Sequence, residues 1–281
     1  MLTLQIVFAL LFGLAFGSFL NVCISRLPRH RSVVRPASHC PQCKTPIGAR
    51  DNIPLFSFLL LRGRCRHCLR RISWRYPLVE AAVAVLTVGS LLVFGFNFWG
   101  GAFAIFCALL VALAACDAET MQLPDTLTLS LLVLGILYRA GDGYWGELYR
   151  GAAYARHSAL VLGLRGTISA VATAAALLLL RRIYSLLRRR QGLGLGDVKL
   201  AAAIAAWLGA RQMCVVFFLA VVTGALTALV ALAVRGRGRP KSESGSEGPL
   251  AVPFGTFLAI AGIYCAFFGL QTIEWYLNFF R

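Results

Sequence analysis

Long apolar stretches alternate along this chain with polar, mostly basic connections. Eight stretches stand out, at residues 3–25, 77–95, 100–117, 124–138, 159–182, 197–209, 213–234 and 252–270. They are too long and too evenly apolar for alternating barrel strands. Each therefore predicts a helix, which satisfies its own backbone polar groups in lipid. The stretches at 124–138 and 197–209 fall short of the roughly 20 residues that cross a bilayer. They predict helices that are tilted, broken or extended by neighbouring residues. The expected fold class is all-α, a polytopic integral membrane protein with about eight transmembrane helices.

Composition agrees with the pattern. With 59% hydrophobic and 14% charged residues, the chain is excluded from the soluble globular class. The formal charge is +17, from 28 Lys and Arg against 11 Asp and Glu. Twelve of the basic residues lie between Arg26 and Arg75, six between Arg181 and Lys199, and four between Arg235 and Lys241. With eight spans these regions share one side, and the other side receives six, so the basic side is expected to be cytoplasmic. Both termini then lie on the opposite side. Leu2–Ile24 lacks a basic leading region and a small-residue cleavage site, so it predicts a retained span rather than a removed signal. Residues 139–158 read as an outer loop or surface helix, and Arg235–Pro249 as a flexible polar linker.

Five of the nine cysteines, Cys23, Cys107, Cys116, Cys214 and Cys265, fall singly in apolar stretches, where a thiol packs as a small hydrophobe. The other four form two pairs in the long basic loop, Cys40-Pro-Gln-Cys43 and Cys65-Arg-His-Cys68. Two such knuckles can place four thiolates around one tetrahedral ion, and structural Zn²⁺ suits that set. Disulfides or redox motifs are the alternative, which a reducing cytoplasm disfavours. His39 and His67 are either further ligands or solvated loop residues. Ile53–Leu61, between the knuckles, is too short to span. It is expected to pack under the metal or lie in the membrane surface.

Glu80, Asp117, Glu119, Asp125 and Asp197 fall in or beside apolar stretches. Asp117 ends the third stretch, and Asp197 follows the run Gly192-Leu193-Gly194-Leu195-Gly196. Glycines there let another backbone approach and let the chain leave helical geometry. Asp117, Asp125 and Asp197 all fall at the basic-loop end of their helices. Two carboxylates brought together in a low-dielectric site share one proton. The charged member can take a proton from an attacking water while the protonated one donates to the amide, which is aspartic protease chemistry needing no metal. Asp125 follows Pro124 at a helix start and has capping or site support as its roles. Glu119 reads as a solvated turn residue. Glu80 is balanced between a helix-dipole role and a site role.

In order along the chain come Gly17-Ser18-Phe19-Leu20-Asn21-Val22 with Arg26-Leu27-Pro28, Cys40-Pro41-Gln42-Cys43, Asn52-Ile53-Pro54, Cys65 and Cys68. Arg75-Tyr76-Pro77 with Glu80, Asp117 with Leu123-Pro124-Asp125, Gly194-Leu195-Gly196-Asp197 with Lys199, and Pro253-Phe254-Gly255 follow. In these blocks the chain resembles the type IV prepilin peptidases, membrane aspartic proteases of the Gly-x-Gly-Asp class. The resemblance implies that Asp117 and Asp197 are the catalytic pair, with Gly194, Gly196, Asp125, Lys199 and Glu80 as site support. It implies residues 1–25 as a first transmembrane helix, 26–76 as a cytoplasmic four-cysteine zinc module and 77–281 as the membrane-embedded peptidase domain. The implied substrates are prepilins and pseudopilins of type IV pili or type II secretion, whose basic leader is removed after a glycine at the cytoplasmic face of the bacterial inner membrane. Family members with the four-cysteine loop also methylate the new N-terminus with S-adenosylmethionine, a second activity carried over here without assigned residues. Two departures are the length between Asp125 and Asp197, and Thr256 where the family often has proline. Neither is expected to touch the aspartate pair.

Two rivals remain. A proton-coupled transporter would use the same buried carboxylates as relay sites, although the chain shows no internal repeat. A nucleic-acid-binding role for the basic loop is the other; the orientation rule already accounts for its charge, so no nucleic-acid partner is expected.

Overall fold

A computed structural model describes residues 1–40, 42–189, 193–236 and 252–279. Pro41, Gly192 and residues 237–249 of the expected linker lie outside the described residues. Each of the eight apolar stretches falls on a helix: α1 Leu2–Arg26, α3 Arg75–Phe94, α4 Phe98–Thr120, α5 Asp125–Glu147, α6 Ala152–Arg188, α7 Leu195–Leu208, α8 Ala210–Gly236 and α9 Phe254–Phe279. The short α2, Phe56–Leu60, lies in the loop module. Among the described residues there are no strands, only two isolated bridges. Six helices, α1, α3, α4, α6, α8 and α9, are long and apolar enough to cross a membrane by length and composition. This is an all-helical membrane protein.

The remaining two helices explain the short stretches. α5 continues nine residues past the expected end, through Arg139 to Glu147, and the turn before α6 is brief, Leu148–Gly151. Residues 139–158 are therefore mostly helix rather than loop. Gly143 allows this, because a Cβ there would lie 2.6 Å from the Ser158 carbonyl oxygen on α6. α7 is only 14 residues, about 21 Å long at 1.5 Å per residue. Beyond its first turn, all of it but Lys199 is buried, Val198 and Leu200–Leu208, against α5, α6, α8 and α9. A helix apolar all round and enclosed by protein does not need to span the lipid.

Close approach organises the N-terminal half. On α1, a Cβ at Gly13 would lie 2.7 Å from the Ala84 Cα, and one at Gly17 would lie 2.8 Å from the Glu80 Cα. This small-xxx-small spacing lets α1 lie on α3 at backbone contact. The opposite face of α1 carries the stacked rings of Phe8, Phe12, Phe16 and Phe19, with Phe8, Phe12 and Phe19 exposed. The core is centred on α4 and α7, where Phe106, Leu110, Leu113, Leu200 and Ile204 are fully buried. Trp207 anchors α7 to α5 by donating from Nε1 to the Leu131 carbonyl at 2.8 Å and stacking on Tyr138.

Candidate active site

Asp117 lies three residues before the end of α4, where Met121 in the left-handed conformation closes the helix by donating its N–H to the Asp117 carbonyl. Its side chain is 5% exposed and points at the start of α9. Oδ2 accepts the Thr256 backbone N–H at 2.7 Å and the Thr256 hydroxyl at 3.2 Å. Gly255 makes room, since a Cβ there would sit 3.0 Å from that same oxygen. Thr256, expected to stand clear of the aspartates, is thus the residue that holds one of them. Its signal was its place among the first residues of a helix, where free N–H groups invite an anion.

Asp197 lies in the first turn of α7, its carboxylate turned back toward the Gly194 backbone N–H. The chain does not leave helical geometry at Gly196, which is already inside α7. That glycine provides close approach instead, because a Cβ would meet Leu123 in the α4–α5 turn at 3.2 Å. The contact draws the first turn of α7 against the segment that follows Asp117. Asp117 and Asp197 line one cleft of about 940 Å³ and lie within electrostatic reach of each other. Each therefore faces a helix N-terminus, α9 for Asp117 and α7 for Asp197, where anions are favoured.

Gly194, Gly196, Asp125 and Lys199 line the same cleft, whose apolar wall includes Phe217, Val221 and Phe254. Asp125 makes no side-chain cap on α5; it accepts from Lys199 Nζ at 2.6 Å, an exposed ion pair joining α5 to α7. Glu80 is not part of this cleft. It is 7% exposed, and its Oε2 accepts the Leu55 N–H of the loop module at 2.9 Å. Glu119 is not simply solvated either, but accepts from Arg75 at 2.6 Å. Cys23, Cys107, Cys116 and Cys265 are buried as packing residues, whereas Cys214 is exposed.

The module between α1 and α3 is built from two matching knuckles. The Cys40 N–H donates to the Thr45 carbonyl and the Lys44 N–H to the Cys40 carbonyl. Cys65, Arg70 and Leu69 repeat this pattern. Lys44 and Leu69 both have positive φ, which turns each loop back on itself. The Sγ atoms of Cys40, Cys43, Cys65 and Cys68 all lie within 4.8 Å of one another, and Cys40 Sγ is 3.8 Å from Cys68 Sγ. Tetrahedral thiolates about 2.3 Å from a zinc ion stand about 3.8 Å apart, so the donor set fits that metal. The Thr45 hydroxyl and N–H lower the Cys43 thiol to about 6, and the Cys65 thiol is lowered by the Cys68 backbone and then that of His67. His39 and His67 are outside the cluster.

Comparison with known proteins follows this geometry. The Bacterial Peptidase A24 N-terminal domain matches residues 11–94, and the Type IV leader peptidase family matches residues 104–229. A prepilin leader peptidase/N-methyltransferase of Burkholderia pseudomallei (strain 1026b) is 38% identical over 294 residues, covering 95% of this chain and 86% of its own length. One from Aeromonas hydrophila is 36% identical, covering 96% and 93%. One from Klebsiella pneumoniae is 43% identical over 210 residues, covering 72% and 84%. No solved structure matches the chain. The two domain matches in sequence and relatives alike over nearly the whole length lead to one conclusion: this chain belongs to the type IV leader peptidase family.

Proposed function

We propose that this protein is a membrane aspartic endopeptidase that removes the leader of type IV prepilins and pseudopilins, and that it also N-methylates the new N-terminus. The observation that carries the peptidase reading is Asp117 and Asp197 lining one cleft, each at a helix N-terminus. The pair shares a proton because two adjacent carboxylates do not both ionise. The ionised member takes a proton from water as the water attacks the scissile carbonyl. The protonated member donates to the carbonyl oxygen and then to the leaving amine. The Thr256 donors hold Asp117 in place through this cycle, and Lys199–Asp125 braces the mouth of the cleft.

The apolar wall of Phe217, Val221 and Phe254 suits the head of an apolar substrate helix. Both aspartates lie at the basic-loop end of their helices, so the site faces the cytoplasm of a bacterial inner membrane, where a basic leader resides. The four cysteines hold one structural Zn²⁺ that closes the module and has no open position for chemistry. S-adenosylmethionine supplies the methyl group. Family membership leaves the transporter alternative without support.

The test is cleavage of a purified prepilin by wild type, Asp117→Asn and Asp197→Asn, with folding checked by thermal unfolding. Both variants are expected to lose about 10²- to 10⁴-fold in kcat, the usual contribution of a catalytic acid or base. Near-wild-type cleavage by either well-folded variant would remove the proposed pair.

A further inference from the structure

The short helix α2 presents its apolar side outward. Phe56, Leu59 and Leu60 stand at i, i+3 and i+4, so they share one face, and they are 59%, 71% and 64% exposed. The other side of the helix is the packed one. Ser57 is buried, donating to the Arg50 carbonyl and accepting the Ile53 N–H, both at 3.0 Å. Phe58 packs into the module, where a Cβ at Gly63 would lie 3.0 Å from its ring. Of the two places expected for Ile53–Leu61, under the metal or in the membrane surface, an outward apolar face fits the second. An exposed apolar patch in an otherwise polar module marks a docking surface.

Position says what covers it. The Leu55 N–H, at the head of α2, donates to Glu80 in the second turn of α3, so α2 begins beside the end of a span and not above it. Trp74 packs edge-on against Phe58, with ring centroids 5.1 Å apart. On α3, Leu78, Val85 and Leu92 follow Trp74 along one exposed side, and this helix is long and apolar enough to span. α2 thus adjoins a lipid-facing stripe at its tryptophan end, where that side chain favours the membrane interface. Charge says which lipid. Between Arg26 and Arg75, twelve Lys and Arg stand against one acid, Asp51, which Arg66 already pairs. Arg62 and Arg64 closely follow α2, and an isolated bridge joins Arg64 to Arg71. All three are exposed. Long arginine stems let an apolar face sink while the guanidinium groups stay at the phosphates.

We infer that α2 is an interfacial anchor for the four-cysteine module. Phe56, Leu59 and Leu60 enter the acyl boundary of the adjoining leaflet, and Arg62, Arg64 and Arg71 hold the phosphates of acidic phospholipids. The inference rests on neither of the two activities proposed above. It gives the module a third attachment besides its covalent ends at α1 and α3, and it makes acidic lipid part of what fixes the module over those helices.

The test uses full-length protein in nanodiscs of phosphatidylcholine, with or without phosphatidylglycerol, that carry a phospholipid with a diazirine in its acyl chain. After illumination, labelled tryptic peptides are read by mass spectrometry. Residues 51–62, bounded by Arg50 and Arg62, form one peptide, and residues 45–50 of the first knuckle form another. In wild type, label on 51–62 is expected to exceed that on 45–50 at least about tenfold in the acidic nanodiscs, and to fall at least about threefold without phosphatidylglycerol. The double variant Leu59→Ser/Leu60→Ser, with folding checked by thermal unfolding, is expected to lose label on 51–62 at least about fivefold while residues 76–139 keep theirs. Label on 51–62 no greater than on 45–50 in wild type would overturn the anchor, whatever the variant does. Cross-links joining 51–62 of two chains without lipid label would overturn it in favour of a second copy. Label that ignores phosphatidylglycerol would overturn the assignment to acidic lipid.

Discussion

Gly255→Ala is the sharpest probe of how Asp117 is held. The new methyl would sit 3.0 Å from Asp117 Oδ2, 3.1 Å from its Cγ and 3.0 Å from Leu123 Cδ1. Comfortable carbon contacts begin near about 3.5 Å, so several tenths of an ångström must be found. Leu123 can rotate, but Asp117 has little slack, because the next residue on the same helix holds its oxygen at 2.7 Å. The methyl pushes the carboxylate away while the Thr256 N–H holds it in. Overpacking of this kind costs about 1–3 kcal/mol in stability. Misplacement of a reacting group by a fraction of an ångström to 1 Å lowers turnover by about 10- to 100-fold.

Gly262→Ala is the matched control on the same helix. Its methyl would meet Leu110 Cδ1 at 3.1 Å and Ile204 Cδ1 at 3.2 Å, both ends of flexible side chains distant from the carboxylates. The assay is steady-state cleavage of a prepilin in nanodiscs, alongside thermal unfolding of both variants. Gly255→Ala is expected to lose about 10- to 100-fold in kcat with KM little altered, and Gly262→Ala less than about threefold at similar stability. Equal losses in the two variants would refute the reasoning, because packing alone would then account for them.

Asp125→Asn breaks an ion pair whose side chains are 45% and 62% exposed. Such pairs contribute about 0.2–1 kcal/mol, so cleavage should fall less than about tenfold, and a loss as deep as that of Asp117→Asn would make Asp125 a catalytic group. Metal analysis should find one zinc per chain, and Cys40→Ser or Cys68→Ser should lower that content and make residues 27–74 sensitive to protease; undiminished zinc in both variants would refute the four-thiolate site. The Arg66 guanidinium beside Asp51 holds that carboxyl below the usual carboxylate range. A depressed carboxyl stabilises the fold above its unfolded pKa of about 4, and the contribution is lost as pH falls through the lower, folded value. Proteolysis of the module between pH 3 and 6 should therefore separate wild type from Asp51→Asn at the upper end of that range, with the difference shrinking as pH falls; a constant difference would refute the linkage.

Residues that break a pattern were readable in the chain. Asp117 and Asp197 interrupt apolar runs, and Cys40, Cys43, Cys65 and Cys68 keep a spacing that suits one shared ion. Thr256 was harder to place, because a threonine near a helix start is ordinary and its partner lies 139 residues away. Glu80, balanced between a helix-dipole and a site role, was grouped with the aspartates through the family resemblance. Only the packing of α1 on α3 puts it in a different cleft. The length of α5 was missed because Arg139, Gly141, Asp142 and Gly143 look like a loop. In three dimensions Gly143 is the contact that lets α6 approach, and Asp142 accepts from Trp99 Nε1. Local composition reports on a residue's own surroundings, and these were set by distant chain.

The brevity of α7 sets a vertical problem for the molecule. Its 21 Å or so must begin where water can reach Asp197, yet a bilayer core is about 30 Å thick. About 9 Å is left over at the far end, where the chain reverses at Gly209 (φ +83°) into α8. Arg139, whose Nε is buried with no partner among the described residues, and Gln212, whose Oε1 is likewise unpaired among them, are gathered near that reversal. Because α5, α6, α8 and α9 enclose α7, that shortfall is met inside the protein and not by the lipid. Irregular backbone at membrane depth is tolerated where protein surrounds it, and the reversal at Gly209 is therefore a polar joint within the bundle, with Arg139 beside it.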